Sequence, residues 1–183
     1  MATCTMLTVT ASSRYAERMS TSVPAIFLDC SISKLREMAA LIENCLNRLS
    51  KEQVWERHAA YENSVANLLL HLSGNMRQWI LHGVAGRPDV RARDAEFSAD
   101  GGFPKGELLK IFQSTVEEVI AALETLPHER LPDRTDPQKR GEVFVLEAIY
   151  HVVGHLQQHT GQIILLTKQM CKQDLDLTMP RPR

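Results

Sequence analysis

Apolar residues recur with a helical period over four stretches of the chain, and nowhere alternate as in a strand. In the first stretch Leu28, Ile32, Leu35, Ala39, Ile42, Leu46 and Leu49 step by four and three in turn. That is the seam of a bundle helix, predicted over residues 23–49 with Ser22 as its cap and Pro24 in its first turn. A second helix is predicted over 63–83. Val65, Leu68, Leu69, Leu72, Met76 and Trp79 make its buried face, His71 and Asn75 lie one turn apart at the edge of that face, and Gly83 and Gly86 end it. A third runs over 105–126, with Leu108, Leu109, Phe112, Val116, Val119, Ile120 and Leu123 inward and Pro127 as its stop. The fourth, over 142–170, carries Val145, Ile149, Val152, Leu156, Ile163, Leu166 and Met170. Four amphipathic helices without a strand pattern predict an all-α four-helix bundle.

The connections differ in kind. Residues 50–62 are charged and read as a link with at most a short helical turn. Residues 84–104 contain Pro, a Gly pair and mixed charge, and connections longer than about 12–15 residues are uncommon in compact domains. Extended chain covers ~3.3 Å per residue, so this segment can cross the bundle from end to end and leave helices two and three parallel. It can equally act as a lid carrying Arg91, Arg93, Asp94 and Glu96. Residues 127–141, with three Pro, read as a surface turn.

Composition narrows the classes. The 183 residues are 44% hydrophobic and 23% charged, with a net charge of -1. That suits one soluble domain and gives no electrostatic footprint for nucleic acid or an anionic membrane. Four scattered Cys without C-x-x-C fit reduced thiols in a cytoplasmic protein. Residues 1–20, Thr- and Ser-rich without helical period, read as a mobile leader rather than a signal peptide. Residues 21–172 form the packed domain, and residues 173–183 a loose tail.

The polar interruption of the fourth seam is the informative feature. By helical count His159 falls near the middle of the apolar stripe, with His155 one turn before it. Side chains four apart are neighbours on a helix, so H-x-x-x-H lets two imidazoles face one ion. His71 lies at a matching depth in helix two if the two helices run antiparallel. Three His with an open position is the donor set of a catalytic rather than a structural zinc-type site. His151 continues the row but lies roughly 80° of arc from His159, on the flank. Asn75, His151, Gln158 and Gln162 are candidates to orient ligands or substrate. His82, three turns from His71, cannot share an ion with it. H-E-x-x-H is absent, as is the paired Glu-x-x-His of di-iron bundles.

The runs LLLHLSGNMRQWI around His71, RARDAEF after it, and YHVVGHLQQHTGQIILLTK around His155 and His159 resemble the DinB-like (YfiT-like) superfamily, closest to its branch of uncharacterised bacterial proteins. The resemblance covers residues 25–170. It implies a bundle in up-down-down-up order, a divalent metal held by His71, His155 and His159, and a homodimer. It also implies, for some relatives, transferase or isomerase activity with a low-molecular-weight thiol cosubstrate.

Two functions follow as expectations. One is a metal-dependent thiol transferase or hydrolase acting on a small molecule, in which Arg91 or Arg93 neutralises a substrate carboxylate. The alternative is a non-catalytic dimeric metal-binding or interaction module. Imidazole donors favour Zn or Ni, with Fe or Mn as further candidates.

Overall fold

The computed structural model describes residues 22–57 and 59–177; the expected leader and the end of the tail lie outside them. Four long helices enclose one core: α1 (Val23–Arg48), α2 (Val65–Met76), α4 (Lys105–Glu124) and α5 (Val145–Cys171), with a short α3 (Arg93–Ser98) between α2 and α4. α1 packs on α4 and α5, and α2 packs on the same two helices, so the consecutive pair α1 and α2 occupy opposite corners. Leu35, Ile42, Leu72, Phe112, Val119, Ile149 and Leu156, all fully buried, fill the space between. Among the described residues no helix is long and apolar enough to cross a membrane.

The helix starts follow from their caps. Ser22 accepts from the Ala25 amide, with Pro following in the first turn. At α2 the Ser64 hydroxyl oxygen accepts from the Asn67 amide at 3.1 Å, while Asn67 Oδ1 accepts from the Ser64 amide at 3.1 Å, a reciprocal capping box. Lys105 Nζ, at the start of α4, donates to the Leu46 and Leu49 carbonyls and so satisfies the end of α1.

Three features depart from the sequence expectation. The end of helix two is not α-helical: Arg77–His82 form a π-helical segment before Gly83. A small antiparallel ribbon, β1 (Arg134–Thr135) with β2 (Val143–Phe144), interrupts the supposed surface turn. It leads directly into α5, whose first amides then find the carbonyls of Asp133 (2.9 Å) and Leu131 (3.0 Å), so the ribbon does the work of a helix cap. Finally, the packed chain extends past 172, because Leu175 is buried in the core and its carbonyl accepts from Arg48.

The buried line of α5 also shifts. It runs through Thr160 and Thr167, whose hydroxyls donate to the carbonyls of Leu156 and Ile163, both at 2.7 Å, rather than through His159, Leu166 and Met170. A Thr that bonds its own helix backbone needs no other partner, so it tolerates the core. His159 is thereby moved from the middle of the stripe to its half-buried rim.

The crossover segment is tied down by Asn67. Its Nδ2 donates to the carbonyls of Glu96 (3.0 Å) and Ala99 (2.9 Å). Asn67→Ala removes the reciprocal half of the capping box, leaving the Ser64 cap itself, and strips those carbonyls of their partner, each worth about 1–3 kcal/mol when buried. Urea unfolding is expected to show a loss of about 2–4 kcal/mol, against under 1 kcal/mol for an exposed polar control such as Gln157→Ala.

Candidate metal centre

α2 and α5 bring their polar rows together level by level. His71 meets His155 and His159, and two turns further along, in the π-helical segment that follows α2, the Trp79 ring lies over His151 at 4.1 Å between centroids. The Nε2 atoms of His71 and His159 each lie 3.1 Å from His155 Nε2. The ligating atoms of His71, His155 and His159 all fall within 4.8 Å of one another, and among the described residues no other His, Cys, Asp or Glu joins that group. The three residues singled out in the sequence therefore share one point in space, one buried and two half-buried.

The far sides of the rings are held differently. His159 Nδ1 is 2.6 Å from Gln162 Oε1 on the next turn. His155 Nδ1 is buried without a hydrogen-bond partner among the described residues. His71 Nδ1 lies 3.0 Å from Glu96 Oε2 and 3.1 Å from Arg91 Nη2. Arg91 grips the same carboxylate with two bonds, Nε to Oε1 at 2.8 Å and Nη2 to Oε2 at 2.9 Å. Its other arm donates to Gln78 Oε1, which also accepts from Gln138 of the linker before α5.

Glu96 is the residue that sequence reasoning read only as a charged lid position. The Arg91 and Glu96 side chains are 3% and 9% exposed, so the pair is interior. A trace of it stood in the sequence as Gly74, a glycine inside an apolar helix. A Cβ at Gly74 would stand 1.9 Å from Glu96 Oε1 and 3.2 Å from Arg91 Nε. The glycine opens the notch that admits the carboxylate. With α3 lying over this side of α2, His71 and Asn75 become buried, not marginal as their helical phase suggested. Arg91, bound inside, is not placed to meet a substrate; Arg93 is exposed, with its guanidinium 4.9 Å from the Phe97 ring.

The remaining candidates sit around the triad. Asn75 Oδ1 and Trp79 Nε1 are buried without a hydrogen-bond partner among the described residues. His151 stacks beside His155 at 5.5 Å between ring centroids and stays outside the ligand group. Gln158 is exposed on α5. His82 is occupied elsewhere, its Nδ1 2.7 Å from the Arg87 carbonyl oxygen.

Burial disfavours the charged forms of His155 and His159. Burial pushes His155 down to about 3, with His159 and His71 adding to the effect. Burial also lowers His159, against the opposing pull of Gln162, and lowers His151, with Arg91 contributing. For Glu96, burial alone would raise the carboxyl, but hydrogen bonds from Arg91 and His71 hold it below the ordinary carboxylate range. Three imidazoles whose ring nitrogens converge fit a divalent borderline metal. Such a donor set suits Zn, Ni, Cu or Fe, and the 3.1 Å spacing is close to the edge of a tetrahedron built on metal–nitrogen bonds of about 2.0–2.1 Å.

The family model described as "Protein of unknown function (DUF1572)" matches residues 22–183. The chain belongs to the DUF1572 family. Among solved structures it is similar to a DinB-like protein (YjoA) from Bacillus subtilis, with a TM-score of 0.59 and 17% identity over 76% of this chain and 90% of that one. The fold is therefore DinB-like, as the motifs around His71, His155 and His159 led one to expect. No curated protein matches the chain.

Two predictions follow from the geometry. Gly74→Ala displaces the Glu96 carboxylate and with it the far support of His71; metal affinity is expected to fall about 10–100-fold in a chelator-competition titration. The second concerns pH. His155 and His159 titrate lower in the folded chain than the 6.5 of an unfolded one, so the unfolded state binds more protons below that pH. Stability of the metal-free protein is then full above pH 6.5 and is lost as pH falls towards about 3, with Glu96 adding to the loss only below 4.5. Urea midpoints should agree at pH 8 and 7 and drop at pH 5, and His155→Gln should flatten that drop.

Proposed function

We propose that this DUF1572 protein binds one divalent metal, Zn or Ni before Fe or Mn, through His71, His155 and His159, and uses it in thiol transfer or hydrolysis on a small molecule. The observation that carries this reading is the convergence of three imidazoles, from His71, His155 and His159, with no other His, Cys, Asp or Glu in the group among the described residues. A structural ion, the alternative, would call for a closed fourth position, which His151 does not supply. What the ion supplies when bound is a lowered pKa for a coordinated water or thiol.

The chain's own residues do the rest. Imidazole donors bring no negative charge and Arg91 already cancels Glu96, so the site has nothing anionic to offset a dication. It therefore favours an anionic partner, a thiolate or hydroxide, over a neutral one. Gln162 keeps the His159 ring in place at the half-buried rim, which is the side open to a substrate. The Trp79–His151 pair forms an aromatic wall two turns along from the triad. The length of the crossover segment and the DinB-like neighbour support an up-down-down-up helix order. Exposed Tyr150 and Leu165 on α5 support a homodimer, which sedimentation velocity at micromolar concentration would contradict by finding only monomer.

Elemental analysis of tag-free protein tests the site. About one metal per chain is expected in the wild type and none in His159→Ala, whose fold is checked by its circular dichroism. Equal metal in both, or none in the wild type after reconstitution, overturns the reading. Loaded protein inert towards a panel of thiols with electrophiles, and towards ester and amide substrates, would leave binding without catalysis.

A further inference from the structure

We infer that Glu96 is a positioning residue for the metal site: its buried carboxylate accepts the Nδ1 proton of His71 and so leaves His71 Nε2 as a bare lone pair aimed at His155 and His159. This rests on the metal reading for its purpose, but not for its geometry.

Two neighbours compete for His71 Nδ1, and they demand opposite tautomers. Glu96 Oε2, at 3.0 Å, only accepts; Arg91 Nη2, at 3.1 Å, only donates. If Arg91 donated to Nδ1, the ring proton would sit on Nε2 and point at His155 Nε2, 3.1 Å away. A ring nitrogen that carries a proton cannot be a ligand. That arrangement would also leave the lone pairs of Nδ1 and Oε2 facing each other at 3.0 Å. Arg91 does not need His71, because Nε and Nη2 already hold the two carboxylate oxygens and Nη1 is held by Gln78. A charge-assisted Nδ1–H bond to the carboxylate is roughly twice as strong as a neutral one. The carboxylate therefore takes the proton's bond, and Arg91 keeps the carboxylate ionised so that it can.

The supporting parts are built for this. Gly74 makes room for Oε1, and Asn67 holds the Glu96 carbonyl from the first turn of α2, fixing the base of the side chain. His159 is oriented by Gln162 from its own helix, whereas His71 is oriented from a separate segment, α3.

The test reads the tautomer directly. In metal-free full-length protein at pH 7.5, nitrogen-15 shifts of the His71 ring, taken from two-bond proton–nitrogen correlations, are expected to show Nδ1 protonated and Nε2 bare. In Glu96→Ala, with only the donor Arg91 left beside Nδ1, the proton is expected on Nε2. Should that variant fail to fold, the double variant Arg91→Met/Glu96→Leu replaces the buried pair by apolar side chains of similar volume and is again expected to lose the Nδ1–H form. Zinc affinity of the folded variant should fall about 10–100-fold. A wild-type His71 protonated on Nε2, or a tautomer unchanged by removal of Glu96, overturns the inference. A wild type with the Nδ1–H tautomer that takes up no zinc supports it while sinking the metal reading.

Discussion

A carboxylate and a guanidinium withdrawn from water must satisfy each other completely, since the effective desolvation cost in a protein is several kcal/mol for each ion. The Arg91–Glu96 pair meets that demand with two direct bonds, and the structure around it is arranged so that both are made. The helix behind it gives up a side chain at Gly74. Asn67 fixes the backbone that carries the carboxylate. Gln78 holds the remaining arm of the guanidinium and links it through Gln138 to the segment before α5. The pair thus joins the crossover segment, α2 and the linker at one point, directly behind His71.

What the sequence made legible was set by how locally each feature is encoded. The four helices were readable because apolar periodicity is local, and the start of the first was readable from Ser22. The pair His155 and His159 was readable because helix geometry alone makes residues four apart neighbours, and His71 because its depth matched theirs. The six-residue α3 was not: it is charged, has no apolar period, and is held by contacts with α2 rather than by its own pattern. Glu96 was consequently indistinguishable from any other solvated acid. The ribbon of β1 and β2 is two residues per strand, too short to alternate visibly. The π-helical segment escaped for a related reason, since its apolar residues also fit an ordinary helix.

His159 lies beside His71 and His155, but not by the route its helical phase suggested. Its placement in the middle of the stripe assumed that the polar member of the seam must be the histidine. Thr160 and Thr167 instead fill the buried line, because a hydroxyl bonded to its own helix is an acceptable core group. The histidine then sits at the rim, where an imidazole can reach both the interior and solvent. A triad with one buried and two half-buried members has a protected side and an accessible one, and α5 sets which is which.

The notch at Gly74 has a consequence for how the chain can vary. Position 74 and position 96 lie twenty-two residues apart and belong to different helices, yet they occupy one volume. A side chain at 74 pushes the tip of Glu96 out of its place, so the ion pair behind His71 keeps this geometry only with glycine at 74. The two sequence runs are therefore halves of a single discontinuous signature, and drift in one constrains drift in the other.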